Sequence, residues 1–94
     1  MQERRKPKIA VALTYRQEKD RTPVVTATGQ GRTADRIISL AREHGVPVEE
    51  NPSLAQALYK INPGQEIPVE LYEAVAILLS YVLELGTKVR NRKK

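Results

Sequence analysis

Glu43-His44-Gly45-Val46-Pro47-Val48-Glu49-Glu50-Asn51-Pro52-Ser53-Leu54-Ala55-Gln56-Ala57-Leu58-Tyr59-Lys60 lies at the centre of the chain, and its reading sets the rest. Gly45 stands where a left-handed residue ends a helix, with Val46 supplying the accompanying apolar contact. Pro47 stops that helix from continuing. Val46 to Glu50 then reads as a short strand at a sheet edge. Asn51 before Pro52 is an N-cap followed by proline at the first helical position. Leu54, Ala55, Ala57 and Leu58 give the next helix an apolar face, ending near Tyr59 or Lys60. Asn62-Pro63-Gly64 is a turn. Pro68 opens the longest helix, reaching about Leu85, with Gly86 as its stop.

On the N-terminal side, Ile9, Val11, Leu13 and Tyr15 alternate with smaller residues, a period of two that predicts a strand over 8–15. Arg16 to Thr22 is a charged turn. Pro23 opens a second strand, Val24 to Thr28, ended by Gly29 and Gly31. A helix follows from about Thr33 to His44, with Ala34, Ile37, Ile38 and Ala41 at helical spacing. The order β-β-α-β-α-α implies an α/β fold, a small mixed sheet of three to four strands flanked by helices. The first two strands form an antiparallel hairpin. The second and third are joined through a right-handed crossover and run parallel.

The 94 residues suit one domain, and none of them is cysteine. A disulfide frame, a cysteine zinc site and a thiol nucleophile are thereby excluded. No apolar run approaches the ~18–20 residues needed to cross a bilayer, and no signal-peptide pattern follows Arg4, Arg5 and Lys6. The expected location is cytoplasmic. The net charge of +5 is uneven: residues 1–8 carry +3, residues 87–94 carry +5, and the body between carries −3. The expected organisation is a flexible basic segment over 1–7, a domain over 8–86 and a flexible basic tail over 87–94. A mildly acidic body argues against a nucleic-acid-binding face.

Candidate chemical sites are few. His44 is the single histidine and sits in the last turn of a helix, where it suits the dipole. Gly29-Gln30-Gly31 precedes a helix but lacks the remaining residues of the dinucleotide and phosphate-loop fingerprints. It reads as a strand-to-helix turn. Glu49 and Glu50 have no metal-ligand companions. No cofactor or metal is expected.

The last helix is more informative. At ~100° per residue, Leu71, Val75, Leu78, Val82 and Leu85 form a core stripe, opposite Glu70, Glu73, Ser80 and Glu84. Tyr72, Ala76, Leu79 and Leu83 widen the apolar arc beyond one packing face. Ile77 falls among the glutamates. One reading buries this flank against neighbouring elements. The other joins Pro23, Tyr72, Ala76, Ile77, Leu79 and Leu83 into a partner-binding patch.

Several segments in fixed order carry a resemblance: Ala10-Val11-Ala12-Leu13 with Tyr15; Pro23-Val24-Val25; Gly29; Arg36-Ile37; Glu43-His44-Gly45-Val46-Pro47; Asn51-Pro52 with Leu54-Ala55 and Ala57-Leu58-Tyr59; Gly64-Gln65-Glu66-Ile67-Pro68; Leu71-Tyr72 with Ala74-Val75-Ala76. From Ile9 to about Leu85 the chain resembles the cytoplasmic C-terminal domain of the FlhB/YscU-type export-switch family of flagellar and type III secretion systems. The resemblance implies that family's fold. Full-length relatives carry a preceding membrane domain and cut their own chain between Asn and Pro of an Asn-Pro-Thr-His motif. The asparagine side chain attacks its own carbonyl, an event linked to switching the class of exported substrate. Here Arg5, Lys6, Pro7 and Lys8 fall at the four motif positions. Arg5 has no amide to cyclise, and a lysine in place of histidine is protonated at neutral pH. The expectation is a small stand-alone homologue that does not cleave itself.

The function implied is a non-catalytic protein-interaction module of flagellar or type III export. Its partners would be export substrates, chaperones or apparatus components, and it would substitute for the cleaved fragment of a full-length relative. No nucleic acid is expected as partner, and the basic tails would give only weak contact with a membrane surface. The alternative is a basic-tailed protein that binds RNA or anionic membrane. Salt separates the two, because tail-driven binding weakens steeply with ionic strength and apolar docking does not.

Overall fold

The computed structural model describes residues 7–16 and 18–81. Its first two elements are strands β1 (Ile9–Thr14) and β2 (Val24–Gln30), paired antiparallel. The register runs Ile9↔Gln30 to Ala12↔Ala27, then shifts to Leu13↔Val25. Thr26 is the extra residue at this bulge, and its hydroxyl donates to the Ala12 carbonyl at 3.2 Å. Asp20 closes the loop between the strands. It accepts from the Arg16 backbone N–H at 2.8 Å and from the Arg16 guanidinium at 3.2 Å. The Arg16 side-chain hydrogen bond, followed by the backbone one, holds the Asp20 carboxyl below the usual carboxylate range.

β2 runs on through Gly29 to Gln30, two residues past the expected end. The lack of a side chain is what Gly29 contributes. A Cβ there would press on Thr33 Cγ2, and it would lie 2.9 Å from Thr33 Cβ and 3.1 Å from Ile37 Cδ1. Helix α1 (Arg32–Glu43) therefore lies close on this face of the hairpin, with Ala34 and Ala10 buried. Gly31 turns the chain into it at φ 63°. The other end is a Schellman close. Gly45, at φ 70°, donates to the Arg42 carbonyl at 3.2 Å, and Val46 donates to the Ala41 carbonyl at 2.8 Å.

The expected third strand is absent. Residues 46–50 have no strand structure, and every one is exposed, including Val46 and Val48. Two valines satisfy a strand pattern, but neither finds a buried face or a ladder partner here. The parallel crossover accordingly does not form. A later segment lines the far edge of β2 instead. Val24 forms an antiparallel bridge with Glu66. Val25 donates to Gln65 at 2.9 Å, Gly64 donates to Val25 at 2.6 Å, and Ile67 donates to Pro23 at 3.1 Å. The α/β class stands, with a two-stranded antiparallel sheet extended by this single bridge.

Helix α2 (Pro52–Leu58) starts as its sequence dictates, with Asn51 Oδ1 accepting from Leu54 N–H at 3.2 Å. A 3-10 turn, Val69–Leu71, leads into helix α3, residues 72–81. The face of the sheet away from α1 carries the main core. Val25, Leu54, Leu58, Ile67 and Val75 are buried together, with Val11, Leu13, Leu71, Leu78 and Leu79 packed around them. Val25 and Val75 are wholly inaccessible. Of the expected stripe on the last helix, Leu71, Val75 and Leu78 meet this core, whereas Val82 and Leu85 lie outside the described residues. So do residues 1–6, most of the N-terminal basic segment, and the whole tail over 87–94.

Candidate functional site

The backbone pairing of 64–67 with β2 positions the site. It places Ile67 in the core beneath Pro23 and starts the last helix beside the end of the hairpin loop. One turn and two turns along α3 from Tyr72 come Ala76 and Leu79, on the side facing Pro23. A groove of about 370 Å³ results, lined by Tyr15, Arg21, Thr22, Pro23, Ile67, Tyr72, Ala76, Leu79 and Ser80. Tyr72 is 45% exposed, Ala76 is exposed, and Pro23 and Leu79 are half-buried. The floor is Ile67, 3% exposed.

Four of the six patch residues expected from sequence thus meet in one groove: Pro23, Tyr72, Ala76 and Leu79. Both sequence readings of this flank hold in part, since Leu79 also packs on the core. Ile77 does not belong with them. It is 66% exposed on another face, beside Glu49, Glu50, Ala74 and Tyr81. Its helical position opposite Leu79 turns it away. Leu83 lies outside the described residues. Tyr15, Arg21, Thr22, Ile67 and Ser80 complete the lining without having been singled out from sequence. The signal for Ile67 was its place before Pro68, but its pairing with Pro23 is a long-range backbone event that no local pattern reports.

The polar groups of the groove differ in how they are satisfied. Ser80 donates its hydroxyl to the Ile77 carbonyl at 3.1 Å. Thr22 is 6% exposed, and its buried hydroxyl has no hydrogen-bond partner among the described residues. Arg21 is exposed at the edge, and no carboxylate lines the groove.

Elsewhere the chemistry is sparse. Of the four cleavage-motif positions, Arg5 and Lys6 lie outside the described residues, and Pro7 is exposed. Lys8 makes a 3.0 Å ion pair with Asp35, both side chains more than 60% exposed. Such a pair adds little stability. His44 is exposed and donates from Nδ1 to the Leu40 carbonyl at 2.9 Å, a helix-end contact. Gly29-Gln30-Gly31 is the strand-to-helix turn. Among the described residues no His/Cys/Asp/Glu group is placed to hold a metal, and no helix is long and apolar enough to cross a membrane.

Comparison with known proteins agrees with this architecture. The Bacillus subtilis protein YlqH is 42% identical over 84 residues, spanning 89% of this chain and 90% of YlqH. The flagellar biosynthetic protein FlhB of Aquifex aeolicus is 44% identical over 82 residues, and that of Salmonella typhimurium 47% over 77. The match covers 86% and 81% of this chain but only 23% and 20% of those FlhB proteins. Among solved structures, the PscU C-terminal domain superposes with a TM-score of 0.76 at 33% identity, covering 80% of this chain and 96% of that one. A mutated EscU/SpaS C-terminal domain gives 0.78 at 36% identity, covering 82% and 96%. The family model described as FlhB HrpN YscU SpaS matches residues 7–82, and the chain belongs to that family of flagellar and type III export-switch proteins.

Proposed function

We propose that this chain is a non-catalytic docking module of flagellar or type III protein export. It holds an apolar segment of an export substrate, a chaperone or an apparatus component in the Pro23–Tyr72–Ala76–Leu79 groove. The observation that carries this reading is the groove itself. Tyr72 and Ala76 stay open to solvent beside half-buried Pro23 and Leu79 over a formed core, so a partner finds a largely pre-shaped apolar surface. Membership of the export family supplies the class of partner.

The family's self-cleavage is not part of this proposal. Arg5 stands where the reaction needs an asparagine amide. The module is proposed to act on the cytoplasmic side, at the export apparatus, in place of the cleaved fragment of a full-length relative. Residues 8–86 are proposed as the working unit, with 1–7 and 87–94 dispensable for docking.

The test is Ala76→Asp. Ala76 is exposed, so the variant keeps its fold, while a buried carboxylate in the occupied groove abolishes partner binding. Binding that survives Ala76→Asp refutes the reading. Loss of wild-type binding as salt rises from 50 to about 500 mM favours the basic ends and the RNA or membrane alternative.

A further inference from the structure

Thr22 is the group in the groove that the docking proposal leaves unexplained. Its neighbour in the lining, Ser80, has a bonded hydroxyl. Thr22 does not, although its hydroxyl oxygen is buried. Buried hydroxyls are nearly always paired, because an unpaired one forfeits its bonds to water without replacement. A valine would fill the same volume without that cost. The residue therefore destabilises the free fold.

We infer that Thr22 is a specificity-determining residue of the groove, and that its hydroxyl pairs with the backbone of a bound peptide. The inference rests on the docking function proposed above. A hydroxyl both donates and accepts, so it matches either an amide N–H or a carbonyl. A purely apolar occupant would seal the hydroxyl in unpaired. A peptide does not, because every apolar side chain it offers has backbone polar groups beside it. The groove thus selects an apolar side chain presented with accessible backbone, as in an extended segment. Arg21 at the edge, with no carboxylate in the lining, adds a preference for an acidic residue next to the apolar one. The hydroxyl is covered in the free chain, so binding includes a side-chain shift. Tyr72 and Arg21 are the exposed lining residues with room to swing.

This assignment gives opposite signs in two experiments. Removing the hydroxyl relieves the free protein and penalises the complex. The probe is a dodecapeptide selected from a random phage library panned on the full chain, with Kd measured by fluorescence anisotropy and Tm by circular dichroism. Thr22→Val is expected to raise Tm by about 4–8 °C and to weaken peptide binding about 2- to 10-fold. Thr22→Ser keeps the hydroxyl and stays within about twofold of the parent Kd. If Thr22→Val leaves Kd unchanged while Ala76→Asp abolishes binding, the inference is overturned and the docking function stands. A fall in Tm for Thr22→Val overturns the inference as well. If the selected peptides bind Ala76→Asp as well as the parent, both the inference and the docking function fail.

Discussion

Replacing Gly29 with alanine sets two effects against each other. An added methyl restricts the unfolded chain, which by itself stabilises by about 0.4–1 kcal/mol where the backbone is compatible. Gly29 is not among the positive-φ glycines, so its backbone accepts alanine. Packing opposes it. The new Cβ would press on Thr33 Cγ2, sit 2.9 Å from Thr33 Cβ and lie 3.1 Å from Ile37 Cδ1. Rotation of Thr33 moves Cγ2 away but leaves its Cβ, which is fixed to the α1 backbone. The first turn of α1 must therefore lift off the hairpin. Overpacking of this kind costs about 1–3 kcal/mol, so the packing effect outweighs the entropic gain. The expected net loss is about 1–2 kcal/mol, a Tm decrease of about 4–16 °C for a domain of this size. Urea denaturation with unchanged slope measures it directly. Adding Thr33→Ala should recover part of the loss, with a coupling energy of at least about 0.5 kcal/mol. A Gly29→Ala variant as stable as the parent, or more stable, would refute the argument.

Other outcomes follow from individual contacts. Asn51→Ala removes the side chain that caps α2 and should cost about 1 kcal/mol in the same urea assay. Asp20 has its carboxyl held low by Arg16, so its contribution is present above the unfolded value near pH 4 and is lost as pH falls through the folded value. Asp20→Asn should flatten the fall in Tm below about pH 4 and leave the slope above it unchanged. With Arg5 at the scissile asparagine position, intact-mass spectrometry after prolonged incubation should show a single full-length species. A cut between Arg5 and Lys6 or beside Pro7 would contradict the reading of a dead motif.

Features with short-range causes were legible in the sequence. Asn51-Pro52 fixed the start of α2, and Gly45 with Val46 fixed the end of α1, because caps are decided within a few residues. Alternation in Ile9 to Leu13 gave β1. Residues 46–50 misled, since β-branched residues mark a strand only when a ladder partner and a buried face exist. The pairing of 64–67 with β2 was hidden by a separation of about forty residues, and Glu66 carries no strand pattern. Gly29 looked like a strand end and is a strand interior, because its role is set by α1 lying over it. Helical spacing separated Ala76 and Leu79 from the acidic side of α3, and it placed Ile77 with the glutamates. It did not reveal what stands across from each side. That depended on Ile67 bonding to Pro23.

The most direct test of the docking account is a nuclear magnetic resonance titration of the isotope-labelled full chain with a purified export substrate from the same cell, at two salt concentrations. The account predicts shift changes at Tyr15, Thr22, Tyr72, Ala76 and Leu79, nearly independent of salt and absent in Ala76→Asp. Changes centred on Glu49, Ile77 and Tyr81, or changes that vanish at high salt, would contradict it.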